Sequence, residues 1–98
     1  MKYARGVSTV RIPPVLRPEI GGRRSVDVDA STVRDALERL VGDFPSLGPR
    51  VLPDGTLPAF VNIFVDGDDV RMLDGLDTSV RPESTILLLP AVAGGVDL

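Results

Sequence analysis

The chain has no cysteine, no histidine and no tryptophan among its 98 residues. Without cysteine there is no disulfide, no thiolate nucleophile and no cysteine-ligated zinc, haem or iron–sulfur cluster. Without histidine the chain lacks the side chain best suited to proton transfer near neutral pH, which is also the commonest metal ligand. Catalysis would have to rest on carboxylates, the single lysine Lys2, one tyrosine or a hydroxyl, so the expectation is a protein that is not an enzyme and binds no metal. Aromatic residues make up 4%, which leaves little for base stacking. The formal net charge of −3 argues against nucleic acid as a partner. No stretch approaches the run of about 20 apolar residues that spans a bilayer. Residues 1–15 carry Lys2, Arg5 and Arg11 without the continuous apolar segment of a signal peptide. A soluble, cytoplasmic location is expected.

What is present reads as one small globular domain, 43% apolar and 26% charged. In residues 7–16, Val10 and Ile12 alternate with Thr9 and Arg11, the period of a half-buried strand, until Pro13 and Pro14 remove ladder donors. Residues 18–22 read as a turn, and Ser25-Val26-Asp27-Val28-Asp29 alternates as the second arm of a hairpin. The period then changes. Val33, Ala36, Leu37, Leu40, Val41 and Phe44 form one stripe of a helix. Ser31 or Thr32 supplies its N-cap, and Pro45 stops it. Residues 45–59 are a Pro- and Gly-rich loop with a short turn around 47–52. Phe60-Val61-Asn62-Ile63-Phe64-Val65 is a strand, Asp66-Gly67 a tight turn into the short segment Val70-Arg71-Met72, and Thr85-Ile86-Leu87-Leu88-Leu89 the last strand.

That last strand is apolar on both faces, so it belongs inside a sheet. Placed beside the first strand, in parallel, it gives a mixed sheet of about five strands with one main helix across one face. This is an α+β class fold, the β-grasp or ubiquitin-like arrangement. Residues 1–90 would form the domain and 91–98 a flexible tail. The tail, Pro90-Ala91-Val92-Ala93-Gly94-Gly95, has no charge and no bulky side chain. Glycine lets a backbone thread a narrow channel and approach reacting groups closely, although small residues are also tolerated at a frayed terminus.

Five segments together resemble the ThiS/MoaD family of ubiquitin-like sulfur carriers, most nearly the CysO type that supplies sulfur for cysteine synthesis. They are Ile12-Pro13-Pro14-Val15-Leu16-Arg17-Pro18, Thr32-Val33-Arg34-Asp35-Ala36-Leu37, Phe60-Val61-Asn62-Ile63-Phe64-Val65, Asp69-Val70-Arg71 and Leu89-Pro90-Ala91-Val92-Ala93-Gly94-Gly95. The resemblance implies a carrier with no bound cofactor. An E1-like adenylating enzyme, using ATP, would activate the Gly95 carboxylate, with Ala93 and Gly94 threading into its site, and sulfur would then replace AMP to leave a thiocarboxylate. A pyridoxal-phosphate cysteine synthase or another sulfur-accepting synthase would take the sulfur. The alternative is that the chain is the molybdopterin synthase small subunit, or the sulfur donor to a thio-containing secondary metabolite. From another class, the chain would be a ubiquitin-like protein modifier or an inert β-grasp interaction module.

Val96, Asp97 and Leu98 follow Gly95, where the family pattern ends. They are either a pro-segment removed by a JAMM-type metalloprotease or an expression remnant. Alternation along the strands also makes a prediction. If Val61, Ile63, Val65, Ile86 and Leu88 face the helix, then Phe60, Phe64, Leu87 and Leu89 form an uncovered apolar patch for partner docking, unless the 45–59 loop folds over it. Asp66, Asp68, Asp69, Asp74 and Asp77 lack calcium-loop spacing and read as solvated turns. Gly21-Gly22 reads as a hairpin turn with no phosphate-binding context, and Arg17, Arg23 and Arg24 as a small basic rim.

Overall fold

The computed structural model describes residues 7–90. Strand β1 (Ser8–Arg11) stops where Pro13 and Pro14 follow, as the missing donors require. The chain then winds into a 3-10 helix at Pro14–Ile20, longer than the turn expected at 18–22, before Gly21 turns it with φ 72. Two proline rings with φ fixed near helical values favour that tighter winding, and Leu16 and Ile20 use it to enter the core. Strand β2 (Ser25–Val28) returns antiparallel to β1.

Helix α1 (Val33–Asp43) buries Val33, Ala36, Leu37 and Leu40. Its N-cap is Thr32, whose hydroxyl accepts from the Asp35 N–H at 3.1 Å, while Asp35 Oδ2 accepts from the Ser31 N–H. One orphan donor of the first turn, the Asp35 N–H, is thereby satisfied, together with the Ser31 N–H just before the cap. After Pro45 the chain is not an open loop. A 3-10 turn (Pro45–Leu47) and the one-turn helix α2 (Gly48–Val51) bury Leu47 and Val51 completely.

Strand β3 (Val61–Val65) follows, then a turn with positive φ at both Asp66 and Gly67 (51 and 95), the backbone twist that favours a two-residue hairpin. The return strand β4 is only Asp68–Asp69, continuing as a 3-10 turn at Val70–Met72. Strand β5 (Thr85–Pro90) completes one sheet of order β2-β1-β5-β3-β4. Strand β5 is central, parallel to β1 and antiparallel to β3. The apolar last strand lies inside the sheet, with α1 packed across one face, as its composition requires. The core lies between them, around Ile63, Ile86 and Leu88 from the sheet and Leu37 and Leu40 from the helix, all at most 2% exposed. Among the described residues no helix is long and apolar enough to cross a membrane.

Candidate functional site

Strict alternation divides the sheet into two faces. Val61, Ile63 and Val65 of β3, with Ile86 and Leu88 of β5, point into the core. Asn62 and Phe64, with Thr85, Leu87 and Leu89, take the outer face, which α1 does not cover. Phe64 lies directly opposite Leu87, and Asn62 opposite Leu89. Across β5 on the other side, Arg11 of β1 is the partner of Leu87. Phe60, just before β3, is 70% exposed and Leu89 is 41% exposed, while Phe64 and Leu87 are half-buried. The 45–59 segment does not cover them, because Leu47 and Val51 carry it into the core.

The end of that segment is held by Arg71, which stands in the sequence only as part of the Asp69-Val70-Arg71 segment. The Arg71 guanidinium donates to the Pro58 carbonyl and, at 3.4 Å, to Asn62 Oδ1. The Arg71 N–H donates to Asp69 Oδ1 at 2.8 Å. One planar cation thus ties the approach to β3, and with it the Phe60 backbone, to the hairpin that follows β3. Beside Phe60 lies a cleft of about 460 Å³, lined by Val15, Pro53, Phe60 and Pro90, with Arg50 among its walls. Because Pro90 is the last residue of β5, the cleft marks where the tail leaves the domain. Ala93, Gly94 and Gly95, and Val96, Asp97 and Leu98 after them, lie outside the described residues.

The expected basic rim is rearranged. Arg17 Nε donates to the Ile12 carbonyl at 3.0 Å, and the Arg23 guanidinium stands 5.8 Å from the Phe44 ring centre, so both are engaged within the domain. Arg24 instead shares a shallow outer-face depression with Arg11 and Thr85. Three of the five aspartates between 66 and 77 have structural partners. Asp66 Oδ1 accepts from the Thr85 N–H, Asp69 caps the 3-10 turn and Asp77 pairs with Arg34 at 3.1 Å. Among the described residues no three acidic side chains gather as metal ligands.

A central strand flanked by a parallel and an antiparallel neighbour, one helix over one face and an apolar opposite face define a ubiquitin-like β-grasp protein. The comparisons place it further. The ThiS family profile matches residues 10–95, and the chain belongs to that family. It is similar to the sulfur carrier protein CysO of Mycobacterium tuberculosis, with 38% identity over 90 residues, 89% of this chain and 97% of the relative. Small archaeal modifier protein 3 of Haloferax volcanii is 36% identical over 81 residues, 79% of this chain and 87% of the relative. Among solved structures, a chain of the Amycolatopsis orientalis BexX/CysO complex matches with a TM-score of 0.83 at 35% identity, covering 90% of this chain and 99% of that one.

Proposed function

We propose that this protein carries sulfur on the carboxyl group of Gly95 and acts as a co-substrate, with its chemistry supplied by partners in the cytoplasm. The observation that carries the reading is the continuity of β5. The same strand presents Leu87 and Leu89 on the exposed apolar face and ends at Pro90, where the Gly-Gly tail begins. A partner gripping that face holds the tail at a fixed distance from its own active site. Family membership supports the same reading.

The chemistry follows from the carboxyl group. Any residue after Gly95 keeps its carbonyl in an amide, so Val96, Asp97 and Leu98 are removed first, the work of a JAMM-type metalloprotease. A Gly95 carboxylate oxygen then attacks the α-phosphorus of ATP on an E1-like enzyme, and pyrophosphate leaves. Sulfide attacks the carbonyl carbon of the acyl-adenylate. The C–O bond to AMP breaks, and a thiocarboxylate remains. A pyridoxal-phosphate cysteine synthase is the favoured acceptor, in keeping with the similarity to CysO. The side chains of the carrier take no part in these bond changes.

The test is mass spectrometry of the chain ending at Gly95 and of the chain ending at Leu98, each incubated with the adenylating enzyme, ATP and sulfide. The trimmed chain should exchange one oxygen for one sulfur and the longer chain should not. A thiocarboxylate on the untrimmed chain overturns the processing step, and an unreactive trimmed chain overturns sulfur carriage. Similarity to a small archaeal modifier protein favours a second reading, conjugation to protein lysines. A covalent adduct through Gly95 on a target lysine would support it.

A further inference from the structure

The domain bears a net negative charge as a chain, yet three of the four uncommitted arginines among the described residues border the apolar strip, the fourth being Arg81 at the far end of the sheet. Arg34 and Arg39 are ion-paired with Asp77 and Asp35 at 3.1 and 3.3 Å. Arg17, Arg23 and Arg71 are held by carbonyls or by a ring. Arg11, Arg24 and Arg50 are exposed and make no such side-chain contact among the described residues. All three border the apolar strip. Arg11 is the cross-strand neighbour of Leu87, Arg24 shares its depression, and Arg50 lines the cleft with Phe60 and Pro90. Arg11 is level with a residue three positions before Pro90, about 10 Å along the strand from the tail root. That is about one Debye length at moderate salt.

Among the described residues, the nearby carboxylates are not ion-paired with these arginines. Asp27 is bonded to Thr9, and Asp66 to the Thr85 N–H, both towards the end of the sheet remote from Pro90. Asp69 is on the Arg11 row, but about 14 Å away across three strand spacings, and it caps the Arg71 turn. Asp54, on the turn after Pro53, makes no ion pair with Arg50.

We propose that this face docks on an acidic surface of the adenylating enzyme, an apolar patch whose carboxylates meet Arg11 and Arg24 on one side and Arg50 on the other. The inference rests on the sulfur-carrier reading and names the chemistry of its first partner. An apolar strip by itself fixes neither direction nor register, because the hydrophobic effect is non-directional. Cations on two sides of the strip select one orientation, and so aim the tail. They also hasten encounter with an oppositely charged mouth.

The experiment measures affinity for the adenylating enzyme by calorimetry, and KM and kcat by ATP–pyrophosphate exchange, at low and at high salt. The chain ending at Gly95 is compared with its Arg11→Glu, Arg24→Glu and Arg50→Glu variants. Arg81→Glu is the control, since the Arg81 carbonyl accepts from Ser8 at the start of β1, the far end of the sheet. Each of the three reversals should weaken binding about tenfold at low salt and less at high salt. The value of kcat at saturation and the melting temperature should stay unchanged. Variants that bind as well as Arg81→Glu, or a wild-type affinity indifferent to salt, overturn the acidic partner surface and leave sulfur carriage standing. A wild-type chain that is neither bound nor adenylated overturns both.

Discussion

Replacing Phe60 by alanine separates docking from folding. Burying a phenylalanine side chain completely is worth about 1.5–3 kcal/mol. Phe60 is 70% exposed in the free domain, so about 1–2 kcal/mol remains to be gained when a partner covers it, and about 0.5–1 kcal/mol has already been gained on folding. The first figure corresponds to a loss of affinity for the adenylating enzyme of about five- to thirtyfold. The second lowers the melting temperature of a domain this size by about 2–8 °C. Leu88, on the opposite face of the neighbouring strand and 0% exposed, should show the reverse. Leu88→Ala leaves a cavity, costs about 2–5 kcal/mol and lowers the melting temperature by at least about 8 °C. Below that temperature its docking is unaltered. The two variants are assayed together, by thermal unfolding and by KM for the carrier in ATP–pyrophosphate exchange. An unchanged KM for Phe60→Ala refutes the docking face. A melting loss for Phe60→Ala as large as that of Leu88→Ala refutes the division of the sheet into two faces.

Thr32→Ala removes the hydroxyl that accepts from the Asp35 N–H and should cost about 1 kcal/mol, read as a melting temperature lower by about 4–8 °C with adenylation kinetics unchanged. Arg71→Ala releases the Pro58 carbonyl and Asn62 together. Amide exchange at Ala59, Phe60 and Val61 should quicken and KM should rise severalfold, with Arg71→Lys restoring only part of both because an ammonium cannot span two acceptors in a fixed plane. Exchange at those amides identical to wild type would remove Arg71 from any positioning role.

The elements that could be read from the chain are those whose apolar residues repeat often enough to show a period. Helix α1 shows its stripe from Val33 to Leu40 with a hard stop at Pro45, and β3 shows three alternate apolar positions, Val61, Ile63 and Val65. The 3-10 winding at Pro14–Ile20 and the one-turn α2 have no such run. Leu47 and Val51 are four apart, the spacing of one helical face, but two positions cannot establish a period against the prolines and glycines around them. Their burial is decided by the space left beneath α1, which only the assembled sheet defines.

The same distinction runs through the site. Which of Phe64, Leu87, Ile63 and Leu88 face outward follows from a period of two and one decision about the helix. Which arginines are left uncommitted does not, since it depends on contacts made across the fold. Arg23 is 21 residues from the Phe44 ring that it covers, and Arg11 meets Leu87 only through parallel pairing. Arg17, Arg23 and Arg24 look alike in sequence, yet two are spent on holding the domain together and one is not. This matters for a chain without cysteine or histidine. If its reacting group is a main-chain carboxyl on a tail of small residues, that group is the same in every carrier ending in Gly-Gly and cannot distinguish one enzyme from another. Discrimination then falls to the outer face and its cations. Exchanging Phe60, Arg11 and Arg50 for the residues of another carrier, while keeping the core and the tail, should move the chain from one adenylating enzyme to the other with kcat largely retained.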